Sequence, residues 1–536
     1  MLNSLVFLSL LAANPAGEDA GNWSSFRNGG VSTATGTNYP TKWSAEQGIA
    51  WQKELPGYGQ STPIVWNGVV YVLVVEGPMK EVGAILALDS TTGEQKWRVQ
   101  VDTTQHQHSN YAVSRAAPTP VADANGVYAF FEGGNLVAAS HDGKLLWQRS
   151  LVKEYGEYQN HHGLGSSPAQ GESALFINCQ HDGPSYLVAV SKATGENLWK
   201  VERKSSKSWS SPVVYRAGDR EFVVMSTAGA AHVYDAKTGE IVWSMSDLSG
   251  NSVPSPVVAG EYLYLGAARS DFDSDANVAK SNCCLKAKGD GTFELVWRAE
   301  KAMCDYASPV VTDKFVYTIN RVGVLFCLDR ETGKELFAKR LAGGTWSTPV
   351  VVGEQLYIFG RDGQTTVLKV GPEYTEVALN PLWDPMSPPA PETYKETKGG
   401  VGHGPGGEGG GQAGGRGAGG PGSGGPGAGG QGAGGQGGRQ GGFAGMLLRN
   451  DKNGNGKVEF DELPEDLKRM ASGDKNGDGA IDADEIKAMA EEFRKRRENS
   501  QSESRDPIVY GVAASGGTFF VRTGTRLYAV RGPEAK

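Results

Sequence analysis

The sequence predicts an all-β protein: an eight-bladed β-propeller closed by N- and C-terminal strands, with a small α-helical insertion. Three observations support this prediction. A Thr-Gly block followed by an aromatic residue recurs along the chain, a proline leads a β-branched run before each block, and one blade is divided between the two ends of the chain. The blocks lie roughly 40–54 residues apart, a period typical of propellers and solenoids.

Each block is expected to form the turn into the last strand of a blade and the start of that strand. Glycine adopts positive φ cheaply at such a turn, and the aromatic residue can wedge between neighbouring blades. The copies are Thr92-Gly93 with Trp97, Thr194-Gly195 with Trp199, Thr238-Gly239 with Trp243, and Thr332-Gly333 with Phe337. Looser copies run from Asp142-Gly143 to Trp147 and from Asp290-Gly291 to Trp297.

The first strand of each blade is marked by a small residue and a proline, and proline at a strand's first position costs no ladder hydrogen bond. The prolines are Pro63, Pro120, Pro168, Pro212, Pro256, Pro309, Pro349 and Pro507. Four strands per period make a propeller blade. The last copy, residues 508–531, has only three strands, and residues 49–55 resemble the missing outer strand. We therefore expect the two ends to share one blade, which removes the free sheet edges.

The block Leu-Asp-x-x-Thr-Gly-x-x-x-Trp, as at Leu88 to Trp97, resembles the tryptophan-docking repeat of the pyrroloquinoline quinone (PQQ) propellers. The resemblance covers about residues 40–382 and 506–532. That superfamily includes quinoprotein alcohol dehydrogenases and non-enzymatic relatives such as an outer-membrane assembly lipoprotein. The repeat is structural, so the resemblance implies the fold and leaves the function open.

Composition narrows the possible partners and the compartment. The net charge is -8 and basic residues do not cluster with aromatics, so nucleic acid is not an expected partner. Residues 1–16, with an apolar run from Leu5 to Ala13, resemble a secretory signal peptide, although an N-terminal strand is an alternative. No other run is long enough to span a bilayer. The sequence therefore predicts a periplasmic or secreted protein without a transmembrane segment.

An insertion interrupts the predicted propeller. The predicted domains are the propeller over 40–382, with its closing strand 49–55, a Pro/Gly-rich disordered linker over 383–442, an EF-hand pair over 443–500, and the last blade over 506–532. Residues 399–442 are almost entirely glycine with scattered Gln, Ala, Pro and Arg. Such a segment buries too little apolar surface to offset its ordering entropy, so it should act as a flexible tether.

Two stretches match the EF-hand calcium loop at each diagnostic position. Calcium prefers six to eight oxygen ligands, supplied by side chains at positions 1, 3, 5, 9 and 12 and a backbone carbonyl at position 7. The expected ligands are Asp451, Asn453, Asn455, Lys457, Glu459 and Glu462 in one loop, and Asp474, Asn476, Asp478, Ala480, Asp482 and Glu485 in the other. Lys457 and Ala480 would use their carbonyls. Val458 and Ile481 can pair the loops side by side.

The segments next to the loops carry further expectations. Residues 463–473 should form a single helix that leaves the first loop and enters the second. Another helix should run from Glu485 to about Arg497, and its basic end complements the helix dipole or offers a patch to an anionic partner. The second loop has four carboxylates and the first has three, so we expect the second loop to bind calcium more tightly.

An active site is harder to assign. The resemblance implies PQQ stacked between a tryptophan and a vicinal disulfide, with calcium held by Glu, Asn and Asp and an Asp as base. Cys283-Cys284 is a vicinal pair, but it aligns with a third strand, where a structural role is expected. The acidic stretch from Asp271 to Asn277 lacks the EF-hand glycine and glutamate and is predicted to be a solvated loop. PQQ is therefore possible but not supported by site residues.

The loops that lead into first strands should gather at the channel mouth. They are rich in aromatics, histidines and other polar residues, which suit ligand binding at a concave surface. The candidates for a small ligand or a protein partner are Arg115, His161, His162, Trp209 and Trp346. The leading hypothesis is a calcium-binding, exported propeller that acts as a binding or scaffold protein. The alternatives are a PQQ-dependent alcohol or sugar dehydrogenase and a cell-envelope assembly factor.

Overall fold

A computed structural model shows an eight-bladed propeller, in which each blade has four antiparallel strands and the seventh blade carries a fifth, parallel strand at its inner edge. The structure describes residues 21–36, 38–107, 114–160, 162–269, 275–384, 387–393, 450–453, 455–463, 474–489, 504–505 and 507–532. The chain divides into two compact units, residues 1–397 with 503–536, and residues 398–502. The predicted signal peptide, the glycine-rich segment and the helix between the loops lie outside the described residues.

In each blade the strands pair in order from the first to the fourth. The first strands are Ile64–Trp66, Val121–Asp123, Ala169–Gln170, Val213–Ala217, Val257–Ala259, Val310–Val311, Val350–Val352 and Gly511–Ser515. The second strands are Val69–Glu76, Gly126–Phe130, Ala174–Cys179, Arg220–Thr227, Tyr262–Leu265, Phe315–Ile319, Gln355–Phe359 and Thr518–Arg522. Both sets are mostly buried. First strands of neighbouring blades also contact one another around the central channel.

The third strands are also mostly buried, whereas the fourth strands, at the outer edge of each blade, are more exposed. The third strands are Val82–Asp89, Asn135–Ala139, Ser185–Ser191, Ala230–Asp235, Cys283–Ala287, Val324–Asp329, Gln364–Lys369 and Arg526–Arg531. The fourth strands are Gln95–Asp102, Leu145–Ser150, Asn197–Arg203, Ile241–Met245, Phe293–Arg298, Glu335–Arg340, Glu376–Pro381 and, for the eighth blade, Ile49–Glu54. Ile49–Glu54 pairs antiparallel with Arg526–Arg531, which confirms the predicted closure of the ring.

Tryptophans of five fourth strands fasten their blades to the next by a hydrogen bond. The indole Nε1 of Trp51 donates to the Ser90 carbonyl at 3.1 Å, and Trp97, Trp147, Trp199 and Trp297 bond the following blades in the same way at 2.8 Å. A Cβ at Gly93 would lie 2.7 Å from the Trp51 ring. The Thr-Gly turn therefore needs glycine for space as well as for positive φ.

The residues before the prolines link the blades at the channel. Six of them donate their backbone N–H to the hydroxyl of the equivalent residue in the next blade, over distances of 2.9–3.1 Å. The hydroxyls belong in order to Thr119, Ser167, Ser211, Ser255, Ser308 and Thr348. The hydroxyl of the small residue in the sequence pattern therefore accepts a hydrogen bond from a backbone N–H of the preceding blade.

Residues 21–34 cross the centre of the ring, a feature that the sequence analysis did not predict. Trp23 exchanges two backbone hydrogen bonds with Val65 of the first blade, while Arg27 Nη2 donates to the Pro256 carbonyl of the fifth. Residues 33–34 form a short strand that pairs parallel with the first strand of the seventh blade. Blades on opposite sides of the ring are thereby tied together by one short segment.

Shorter elements complete the described structure. They are helical segments at Arg27–Gly30, Leu151–Tyr155, Asp275–Ser281 and 483–489, a two-stranded pairing of Glu392–Thr393 with Ser504–Arg505, and another of Val458–Glu459 with Ala480–Ile481. Among the described residues, no helix is long and apolar enough to cross a membrane.

Candidate functional site

At the predicted channel mouth, connections that lead into several first strands contact one another, and a row of aromatic rings runs through them. The guanidinium of Arg115 lies 3.5 Å from the centroid of the Tyr58 ring, and the Tyr58 hydroxyl is 3.1 Å from that of Tyr510. Trp346 packs against Tyr510 at 5.5 Å and against Tyr306 at 5.1 Å. Two of the predicted residues, Arg115 and Trp346, are therefore joined through tyrosines that were not predicted as site residues.

Two other predicted mouth residues, His162 and Trp209, lie next to the connection that carries Arg115, because the His162 carbonyl accepts the N–H of Ser114 at 2.8 Å. The rings of His162 and Trp209 lie 6.1 Å apart, and Trp209 Nε1 donates to the Gly163 carbonyl at 3.0 Å. His162 is exposed, whereas His161 lies outside the described residues. Ligand binding by the five predicted residues therefore stays a prediction. Tyr58 and Tyr510 follow the same rule of preceding a first strand, so the rule could have identified them.

A buried ion pair supports the mouth beneath Arg115. Lys80 Nζ lies 3.3 Å from Glu132 Oε1, and both side chains are almost fully buried. Both carboxylate oxygens of Glu132 accept the N–H of Ala116 at 3.0 Å, which holds Ala116 at a φ of 45°. Burial raises the pKa of Tyr58 well above its ordinary value, with a further contribution from Tyr510, so its phenol stays neutral. The ion pair and these hydrogen bonds hold in place the connection that carries Arg115.

The vicinal cysteines do not fit a quinone site. Cys283 and Cys284 are both buried free thiols in the third strand of the fifth blade, as the alignment of repeats predicted. Burial raises the pKa of each thiol to about 12. Cys284 pairs with Tyr264 on one side and with Trp297 on the other, inside a blade. A vicinal disulfide that stacks on a cofactor is therefore not supported by this pair.

The acidic stretch before these cysteines is only partly described. Residues 270–274 lie outside the described residues, and Asp275–Ser281 forms a helix rather than the predicted loop.

The two predicted calcium loops, Asp451–Glu462 and Asp474–Glu485, lie side by side. Val458 pairs antiparallel with Ile481, as predicted, and both are fully buried. They form a small core with Leu463 and Ile486. The pairing holds the two loops in a fixed register despite the short segment between them.

Each loop folds around its own acidic side chains. The glutamate at position 12 is buried and accepts backbone N–H groups from positions 2 and 3: Glu462 from Lys452 at 2.9 Å, and Glu485 from Lys475 at 2.7 Å. The aspartate at position 1 accepts the N–H of the glycine at position 6, at 2.9 Å for Asp451 and 3.0 Å for Asp474. These hydrogen bonds curl both loops inward around oxygen atoms.

The donor set matches calcium in chemistry, because carboxylate, amide and carbonyl oxygens are its preferred ligands. Among the described residues, no three His, Cys, Asp or Glu side chains come together as a metal-holding group. The expected ligands also include Asn453, Asn455 and two backbone carbonyls. Calcium binding by the twelve predicted residues therefore stays a prediction. The basic end of the following helix lies outside the described residues.

The fold, the docked tryptophans and the Thr-Gly turns define a PQQ-like repeat propeller. The family model described as outer membrane protein assembly factor BamB matches residues 13–176, 184–281 and 286–371, more than half of the chain, and the chain belongs to this family.

Individual relatives are distant. The chain is 25% identical over 224 residues to the outer membrane protein assembly factor BamB of Yersinia pestis, a match covering 41% of this chain and 51% of that protein. It thus spans about half the length of that curated relative. It is 22% identical to tetrathionate hydrolase of Acidithiobacillus ferrooxidans, over 65% of this chain and 81% of the hydrolase.

Solved structures include BamB from Moraxella catarrhalis, with 12% identity and a TM-score of 0.46 over 62% of this chain and 91% of that chain. Quinohemoprotein alcohol dehydrogenase from Comamonas testosteroni has 12% identity and a TM-score of 0.48, over 69% of this chain and 76% of that chain.

Proposed function

We propose that this protein is an exported, calcium-binding propeller of the cell envelope that acts as a binding or scaffold protein. One observation carries the calcium part: two consecutive loops with EF-hand ligand patterns pair through Val458 and Ile481, and their position-12 glutamates are both buried. Membership of a family described by outer membrane protein assembly supports the envelope and the scaffold role. The exposed ring of Tyr306, which packs against Trp346, suits contact with a partner.

Calcium would order the inserted module, because a segment this short has little apolar core to stabilise it alone. Each ion would replace the repulsion among carboxylates with coordination bonds. The predicted ligands of the first loop are Asp451, Asn453, Asn455, Glu459, Glu462 and the carbonyl of Lys457. Those of the second are Asp474, Asn476, Asp478, Asp482, Glu485 and the carbonyl of Ala480.

Limited proteolysis of the full chain, with cleavage sites mapped by mass spectrometry, tests this proposal. Calcium should suppress cleavage within residues 450–489 relative to a chelator. The double variant Glu462→Gln with Glu485→Gln should lose that protection, because each change removes a carboxylate from position 12. Asp461→Asn with Asp484→Asn is the matched control, since both aspartates are exposed and lie outside the ligand positions. Equal cleavage with and without calcium would contradict the proposal.

A role as an assembly factor is the more specific form of the scaffold function, and the family match favours it. If the mouth holds an envelope protein, Trp346→Ala should abolish co-purification of that protein with the full chain. Leu295→Ala is the control, because Leu295 is 48% exposed on the fourth strand of a blade, away from the mouth. Unchanged co-purification in the Trp346 variant would place the partner elsewhere.

A further inference from the structure

An ion pair joins the two calcium loops across their paired strands. Lys457 of the first loop places its Nζ 2.9 Å from Oδ2 of Asp478 in the second loop. The two side chains are 43% and 39% exposed. The ammonium of Lys457 holds the pKa of Asp478 below its usual value, chiefly through this hydrogen bond. A cation of the protein thus lies beside a carboxylate that the sequence assigns to calcium.

Asp478 occupies position 5 of the second loop, where a side-chain oxygen is expected to coordinate the metal. Its two oxygens already have donors: Oδ2 accepts from Lys457, and Oδ1 accepts the N–H of Ala480 at 3.0 Å. A calcium ion that takes an oxygen of Asp478 must displace the ammonium or share the carboxylate with it. Displacement loses the ion pair with Lys457, and sharing places two positive charges close together, so both disfavour binding.

The charges of the two loops show what this contact changes. The second loop has four carboxylates, at Asp474, Asp478, Asp482 and Glu485, while the first has three. Lys457 belongs to the first loop in sequence, but its ammonium pairs with the second. The carboxylate advantage of the second loop is therefore offset by one positive charge, and the charge count alone no longer predicts that this loop binds more tightly.

We propose that Lys457 is a tethered cation that competes with calcium for Asp478 and thereby lowers the calcium affinity of the second loop. The proposal rests on the proposed calcium-binding function and concerns the regulation of the same site. It makes the side chain at position 7 of one loop a determinant of affinity in the other. Because the pair is exposed, its effect should weaken as ionic strength rises.

Calorimetric titration of the full chain with calcium at low salt tests the proposal. The Glu462→Gln background confines binding to the second loop. In that background, Lys457→Gln should tighten binding about threefold to tenfold, the scale expected for removing one exposed charge next to a divalent ion. Lys457→Arg should stay near the parent, because the cation remains. Lys475→Gln is the matched control, since it removes an exposed lysine from position 2 of the second loop itself.

A double-mutant cycle separates the specific contact from the general field of the loop. Asp478→Asn keeps an oxygen at position 5 but removes its charge, so in that variant Lys457→Gln should have no larger effect than Lys475→Gln. The proposal is overturned if Lys457→Gln binds calcium no more tightly than Lys475→Gln in the parent background. If the unmodified chain binds no calcium at all, the proposed function fails as well, and that result is distinct from an unchanged affinity.

Discussion

At the scale of single residues, the glycine of each Thr-Gly turn meets two requirements at once. Gly93 has a φ of 73°, which L residues adopt at a cost, and the Trp51 ring lies where a Cβ would project. The sequence predicts the first requirement from the turn alone. The second depends on a tryptophan from a strand about forty residues earlier in the chain, so it could only be anticipated once the blades were placed in order.

Gly93→Ala should therefore destabilise the propeller more than a comparable change at a glycine with free space. Gly260 is the control, because it has a φ of 64° and no atom lies within 4 Å of the position that a Cβ would take there. Positive φ alone should cost about 1–2 kcal/mol in both variants, and the clash should add about 1–3 kcal/mol at Gly93. Denaturant midpoints measure the difference, and equal midpoints would refute the steric part.

A residue-scale pH effect follows from His232. Burial, with a smaller contribution from Arg203, lowers its pKa to about 4 from 6.5. The folded state thus excludes a proton that the unfolded chain binds below about pH 6.5, so stability is full above that pH and falls as the pH drops towards 4. His232→Gln should flatten this part of the thermal stability profile. His106→Gln, at an exposed position, should leave it unchanged; a similar profile for both variants would contradict the assignment.

At the scale of elements, two short segments of the propeller unit, which precede and follow the insertion in sequence, pair to form a neck beside the last blade. Glu392–Thr393 falls inside the predicted linker 383–442, yet it pairs with Ser504–Arg505. The buried carboxylate of Glu392 accepts the N–H of Gly524 at 3.0 Å and the N–H of Thr525 at 3.0 Å. Proline-rich composition predicts a lack of local structure, and it could not reveal a contact made with residues over one hundred positions later.

Glu392→Gln should weaken the contact between the neck and residues 523–526. An amide cannot accept from all the donors that the carboxylate serves, and a buried donor left unsatisfied costs about 1–3 kcal/mol. Glu54→Gln is the control. Glu54 Oε1 lies 3.5 Å from Nη2 of Arg526 in the same blade, but the Glu54 side chain is 81% exposed. Hydrogen exchange at residues 523–526 should quicken in the first variant and stay unchanged in the second. Equal exchange rates in both variants would show that the neck does not depend on this carboxylate.

At the scale of the whole molecule, stability depends on closing the ring. The eighth blade takes three strands from residues 511–531 and its fourth from Ile49–Glu54. The repeats predicted this closure correctly, because the last copy has only three strands and the first strand of the chain belongs to no other copy.

The crossing of the ring by residues 21–34 was not predicted, because this segment contains no repeat and its contacts are spread over several blades. The predicted calcium ligands follow from a local motif, whereas the pairing of Lys457 with Asp478 depends on the register between the loops.

Removing residues 506–536 should unfold the propeller rather than trim it. The truncation takes away the partners of Ile49–Glu54 and exposes the edges of two blades at once. Far-ultraviolet circular dichroism and the cooperativity of thermal unfolding measure the outcome. A soluble truncated chain that unfolds in one sharp transition would contradict the closed-ring account. Removing residues 533–536 alone is the control and should leave the transition intact.

The most direct test of the central claim is the calcium stoichiometry of the full chain by calorimetry. We expect two bound calcium ions for the unmodified protein, one for either Glu462→Gln or Glu485→Gln, and none for the double variant at the same calcium concentration. The control with Asp461→Asn and Asp484→Asn should retain both ions. Absence of binding in the unmodified chain, or two ions bound by the double variant, would contradict the claim that these loops are calcium sites.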